Sequence, residues 1–252
     1  MGTARVAELE PRIYSPDPLC PDGRFTLTGG QHRHVARVLR LKAGAGLTLF
    51  DGSGGEYGAV IEEVERSRCT VRTGEFRDVD KESPLSVRLA QGVGRGERTD
   101  YAIQKAVELG VTSIVPILSR RGVVRLDAER AQRRHAHWHG IVIHACQQCG
   151  RNRLPELCPV VTLADWLDEY DASSVNLILD PGSACGINEL DYDGGLITLL
   201  VGPEGGLDVR EREAAYAAGF RGISLGPRTL RTETAAATAV TAVQLRWGDL
   251  GN

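Results

Sequence analysis

Three short loops combine residues that let a backbone close on a small molecule with charged groups able to act on it. Asp180-Pro-Gly-Ser183, Gly202-Pro-Glu-Gly-Gly206 and Gly226-Pro-Arg-Thr-Leu-Arg231 are each rich in Gly and Pro. Glycine permits close backbone approach and proline fixes the chain path. Glu204 stands between Pro203 and Gly205, where its carboxylate can orient a partner or cap backbone amides. Arg231 stands where the last loop gives way to a helix, and its guanidinium can meet developing negative charge or simply pair with Glu233. One such loop is ordinary turn chemistry. Three that follow strands make a pocket.

A second feature is a basic stretch. Between positions 120 and 153 lie Arg120, Arg121, Arg125, Arg130, Arg133, Arg134, Arg151 and Arg153, against only Asp127 and Glu129. On a chain of net charge -3 such a stripe fits selective docking onto a polyanion, although a solvated helix face has the same composition. Two other patterns suggest different chemistry. His144-Ala-Cys146-Gln-Gln-Cys149 with Cys158 has the ingredients of a zinc site, but there is no second Cys-x-x-Cys and both cysteines fall within a helical pattern. Gly92-Val-Gly94-Arg-Gly96 follows a strand and precedes a helix. Its spacing is not that of a dinucleotide fingerprint, and no ribose-binding acid follows. The sequence thus predicts no metal site.

The loops and the stripe need elements to hold them. The N-terminal region alternates apolar and polar residues over 56–65 and 69–76, as half-buried strands do, after a Gly-rich turn over 51–55. One helix is predicted over 30–39. The charged, Pro-ended run 78–84 is the candidate linker, which gives domains of 1–78 and 79–252. Beyond it strands alternate with helices. Strands are expected over 85–90, 114–118, 175–179, 196–201 and 222–225, with helices over 100–109, 127–149, 164–170, 208–218 and 232–247. That rhythm predicts an α/β domain with a mainly parallel sheet, whose ligands sit beyond the carboxyl ends of the strands. The chain of 252 residues is 42% hydrophobic, enough for a core, and has neither an apolar leader nor a run long enough to span a membrane, so a cytoplasmic location is expected. Six dispersed cysteines fit a reducing compartment.

Taken together, these stretches resemble the bacterial 16S ribosomal RNA uridine N3-methyltransferases, the RsmE family of the SPOUT superfamily. The likeness covers nearly the whole chain. His34-Val-Ala-Arg-Val-Leu-Arg-Leu-Lys42 with Phe50-Asp-Gly52 is similar to that family's N-terminal signature. Gln104-Lys-Ala-Val-Glu-Leu-Gly110 with Pro116 is similar to its middle motif, and Gln148 with Gly150-Arg151 to its RNA-facing helix motif. The stretches 201–206 and 225–234 are similar to its cofactor motifs. Each is weak alone; five in the right order are specific. Gln147 stands where the family usually has Glu, and Ala45 where it often has Asp.

The resemblance implies a PUA-like RNA-binding β-barrel followed by a SPOUT domain with a parallel sheet and a deep trefoil knot, a path that general topology rules disfavour. It implies a homodimer with active sites across the interface, and 16S rRNA within the small ribosomal subunit as substrate. S-adenosylmethionine is the implied cofactor, held around Leu179, Val201, Gly202, Pro203, Gly205, Gly206, Leu225, Gly226 and Leu230. Arg231 and Glu204 are the catalytic candidates: removing the uracil N3 proton spreads negative charge over O2 and O4, which a guanidinium can stabilise. His34, Arg37, Arg40, Gln148 and Arg151 are the candidates for touching RNA. Ribose 2′-O methylation and a non-catalytic RNA-binding role are the alternatives; the N-terminal signature favours the base, and intact cofactor loops favour catalysis.

Overall fold

A computed structural model describes residues 10–122, 127–170 and 175–251, and divides them into two compact units. The first comprises the chain to Glu82 together with residues 146–154; the second comprises 83–145 and 155 onward. The units divide after Glu82, within the run 78–84 expected as a linker, and the first unit is discontinuous in sequence.

The first unit is built on a five-stranded sheet of β1 (Arg12–Tyr14), β2 (Arg24–Thr28), β3 (Gly46–Phe50), β4 (Glu56–Val64) and β5 (Arg68–Arg77). Its order is β1-β3-β4-β5-β2, antiparallel except for the parallel pair β1 and β3. The period-2 alternation works as expected: Ala59 and Ile61 on β4 and Cys69 and Val71 on β5 are buried, and join Ile13, Leu27, Leu47 and Leu49 in one core. The predicted helix is two pieces. α1 (Gly29–Arg33) runs directly into a π-helical turn over His34–Val38, and Val35 plugs the core beneath. The wider turn moves the arginines off the three-residue spacing of an α-helix. Arg40 lies beyond the helix with φ 54°, so the RNA candidates His34, Arg37 and Arg40 do not share one helical face.

Residues 146–154 complete this unit through polar contacts. Gln147 Oε1 accepts from Tyr14 N at 3.2 Å, Asn152 Nδ2 donates to Val79 O at 2.9 Å, and Arg12 donates to both Glu56 and Asn152. Arg153 Nη1 donates to Ser53 O at 2.6 Å.

The second unit has an all-parallel sheet of β6 (Val87–Gly92), β7 (Ser113–Leu118), β8 (Glu156–Leu157), β9 (Val161–Thr162), β10 (Val175–Leu179), β11 (Ile197–Val201) and β12 (Arg221–Ile223). The order is β12-β10-β11-β6-β7-β8, with β9 also on β7. Every residue of β11 is buried, which explains why it reads as an unbroken apolar run. Leu200, Ala90, Val115 and Ile178 pack with Leu163, Ala215 and Phe220 in one cluster.

The helices are α2 (Arg98–Glu108), α3 (Ala128–Cys149), α4 (Leu163–Asp168), α5 (Val209–Ala217) and α6 (Thr232–Trp247). α2 and α6 pack on each other and on β6, while α4 packs on α5. Asp208 and Glu211 form the capping box that the sequence suggests, each side chain accepting from the other's backbone N–H at 2.8 Å. α3 starts in the second unit and its last turn belongs to the first.

Candidate functional site

Because the sheet is parallel, the carboxyl ends of neighbouring strands open on one edge, and the loops that leave them must meet there. β12, β10 and β11 are adjacent, so the three Gly/Pro loops converge. They enclose a cavity of about 410 Å³. Of the candidate cofactor residues, Leu179, Val201, Gly202, Pro203, Gly206, Leu225, Gly226 and Leu230 line it, and so do Glu204 and Arg231. Gly205 does not: a Cβ there would stand 2.9 Å from Arg121 O, outside the lining. Sequence reasoning did not single out Ile178, Ile223, Arg98 or Arg212, which also face the cavity. The first two were legible as the buried ends of strands. The arginines were not, since nothing local ties them to the loops.

The loops are pinned tightly. Thr232, the first residue of α6, donates from Oγ1 to Gly202 O at 2.6 Å and accepts from Gln91 Nε2 at 3.0 Å. A Cβ on Gly92 would lie 2.4 Å from Pro203 N, so only glycine lets β6 pass the loop after β11. Gly206 and Gly226 hold φ +67° and +91°, the left-handed region that favours glycine.

Glu204 is held, not floating. Its Oε1 accepts from Arg95 N at 3.0 Å and forms an ion pair with Arg98 Nη1 at 3.0 Å, and Gly94 leaves room for the carboxylate. The loop that resembled a defective dinucleotide fingerprint is the seat of this glutamate. Arg231 is the N-cap of α6, with extended backbone. Among the described residues no ion pair joins it to Glu233, whose Oε2 is buried without a hydrogen-bond partner. Asp180 Oδ2 accepts from Tyr216 Oη at 2.7 Å, and that bond holds the Asp180 carboxyl below the usual carboxylate range against the opposing effect of partial burial.

A second, more open cavity of about 820 Å³ adjoins the first at Glu204. It is formed by the β6–α2 loop, α2 and the start of α6, and shares Arg98, Glu204 and Arg231 with the first.

The RNA-facing candidates divide. Arg37, Arg40 and Gln148 are exposed and His34 is half-buried. Arg151 is the exception: its side chain is 5% exposed, with Nε donating to Glu82 Oε2 at 2.9 Å, and it is committed to the interior of the first unit. The basic stripe likewise breaks up. Arg130 and Arg133 pair with Asp127 and Glu129 on the same surface, and Arg134 lies over the Trp138 ring at 5.9 Å. Arg120 and Arg121 belong to the loop after β7, and Arg125 lies outside the described residues. Among the described residues no cluster of three or more His, Cys, Asp or Glu is arranged to hold a metal ion. Burial pushes the Cys146 thiol up to about 12, far from a ligating thiolate.

A model of an RNA methyltransferase PUA domain matches residues 27–73, and one of an RNA methyltransferase domain matches residues 81–244. The chain is 32% identical to the ribosomal RNA small subunit methyltransferase E of Buchnera aphidicola subsp. Schizaphis graminum over 240 residues, 95% of this chain and 98% of that one. A methyltransferase from Legionella pneumophila, solved in complex with S-adenosylmethionine, is 39% identical with a TM-score of 0.92. The ribosomal RNA small subunit methyltransferase E of Neisseria gonorrhoeae, solved bound to S-adenosylmethionine, is 38% identical with a TM-score of 0.88. Each solved structure covers 96% of this chain over 99% of its own.

Proposed function

Because the chain belongs to the ribosomal RNA small subunit methyltransferase E family, we propose that it transfers a methyl group from S-adenosylmethionine to N3 of a uridine in 16S rRNA of the small ribosomal subunit. The observation that carries this reading is the cavity at the carboxyl ends of β10, β11 and β12, with Glu204 and Arg231 on its wall. Its residues fit the cofactor. The volume lies within the roughly 300–1,000 Å³ usual for small-molecule sites. Ile178, Leu225 and Leu230 offer apolar walls to an adenine, and Asp180 and Arg212 offer charge to the polar groups.

When bound, the cofactor supplies a methyl group on a positively charged sulfur, which leaves as a neutral thioether. The chain's own residues do the rest. Glu204, fixed through Oε1, keeps Oε2 for the N3–H of the base and receives its proton as the N–C bond forms. Arg231 meets the negative charge that then spreads onto O2 and O4, and the positive end of α6 adds to it. In the first unit, exposed Arg37, Arg40 and Gln148 are offered to RNA.

The same reading includes a homodimer, supported by the exposed Leu245 and Leu250 near the end of α6. It also includes a knotted C-terminal path, which rests on the family to which the chain belongs. No described helix is long and apolar enough to cross a membrane.

The test is nucleoside mass spectrometry after incubating small subunits with labelled cofactor. Label on uridine N3 is expected; label on a ribose, or none, defeats the reading. Arg231→Ala should lose turnover while keeping cofactor affinity.

A further inference from the structure

The two cavities that share Glu204 need different occupants. One is walled by three loops and aliphatic side chains; the other is open and bordered by Arg95, Arg98, Tyr101, Glu204 and Arg231. Methyl transfer requires donor and acceptor to meet in line. The residues the cavities share are therefore where the methyl group crosses.

The second cavity has a distinctive pattern of polar groups. Arg98 Nη1 holds Glu204 Oε1 at 3.0 Å, and Arg231 borders the same space. The wall thus offers two donor side chains and one acceptor. Uracil's imide edge is the complement: the O2 acceptor, the N3–H donor and the O4 acceptor. Cytosine shows a bare N3 and an amino group there, so two of its three positions oppose this wall. Tyr101 adds a face. It is 48% exposed on α2, lines this cavity, and Lys105 Nζ lies 5.6 Å from its ring centroid.

We propose that the second cavity receives the target uracil swung out of its RNA, with its ring on the Tyr101 face and its imide edge against Arg98, Glu204 and Arg231. This rests on the reading of the chain as a uridine N3-methyltransferase. A base inside a stacked helix cannot present N3 to a donor, so it must leave the stack. An aromatic platform holds it regardless of neighbouring sequence. In the step itself the N3–CH3 bond forms as the S–CH3 bond breaks; the sulfonium becomes a neutral thioether and the N3 proton goes to Glu204. Tyr101 touches the base without taking part in that exchange.

The test compares Tyr101→Leu and Tyr101→Phe with the unaltered protein on small ribosomal subunits. Three quantities are read: kcat/KM for methylation, the Kd of S-adenosylhomocysteine by calorimetry, and the sedimentation coefficient. Losing a base–aromatic stack lowers kcat/KM by roughly 5- to 150-fold. The Leu variant should lose that much while the other two quantities stay put, and the Phe variant should recover the original value. A Leu variant as active as the unaltered protein overturns the proposal. So does a Phe variant as damaged as the Leu one, which makes the hydroxyl the acting group. A changed sedimentation coefficient also overturns it, because the face then meets a second copy of the chain. If Leu does not fold, Tyr101→Met is read by the same three measurements. Label on a ribose in the unaltered protein would instead remove the reading on which this rests, a separate outcome.

Discussion

Arg151 turns its guanidinium inward to Glu82, with Nε 2.9 Å from Oε2, in a pair almost closed to solvent. Removing one partner of such a pair strands the other charge in a poorly solvated place. Arg151→Ala is expected to cost about 3 kcal/mol in stability, read as a lower urea midpoint. RNA affinity per folded molecule should hold; if affinity falls while stability does not, Arg151 faces RNA after all.

Gly92 and Pro203 are in forced proximity. Gly92→Ala puts a methyl group 2.4 Å from a backbone nitrogen that cannot move without moving the loop after β11. Calorimetry should show S-adenosylhomocysteine binding at least about tenfold weaker. Unaltered binding would mean that the loop yields freely.

The Asp180–Tyr216 bond has a pH signature. The Asp180 carboxyl is depressed, chiefly by the hydrogen bond from Tyr216. A depressed carboxyl contributes stability that is fully present above its unfolded value, about 3.9, and is lost as pH falls through the folded value. Tyr216→Phe should therefore be less stable than the parent at neutral pH, with the gap closing below that range. A gap of equal size at pH 3 and pH 6 would show the two groups to be uncoupled.

Arg37 is exposed on the π-helical turn beside Val38, which is 64% exposed. If it touches one phosphate, Arg37→Ala should lower the salt-dependence slope of subunit binding by about 1. A parallel line, merely displaced or not at all, argues against a phosphate contact.

Much of the pocket could be read from the chain alone, for a specific reason. β10 and β11 are parallel and largely buried, so each shows as a short apolar run; β12 is only Arg-Gly-Ile, but it is parallel to them, and the Gly/Pro clusters that follow all three can only lie at one edge. The seat of Glu204 could not be read. Its partners Arg95 and Arg98 belong to a different strand end, and only sheet order brings them beside it. The inward turn of Arg151 was equally hidden, because Gly150, at φ +88°, redirects the chain just after α3. Periodicity read 30–39 as one helix because it assumes 3.6 residues per turn, and the π-helical turn over His34–Val38 breaks that assumption. β1 is three residues long, too short to show any alternation.

The first unit's dependence on residues 146–154 bears on how the protein is made. Arg12, Tyr14 and Val79 have partners in that segment, and Glu82 is paired with Arg151. A ribosome delivers the segment only after β6, α2, β7 and most of α3. The N-terminal unit is thus synthesised first yet completed later, with its sheet waiting on chain still to emerge. A gene cut at the linker would release a fragment lacking its own closing strap.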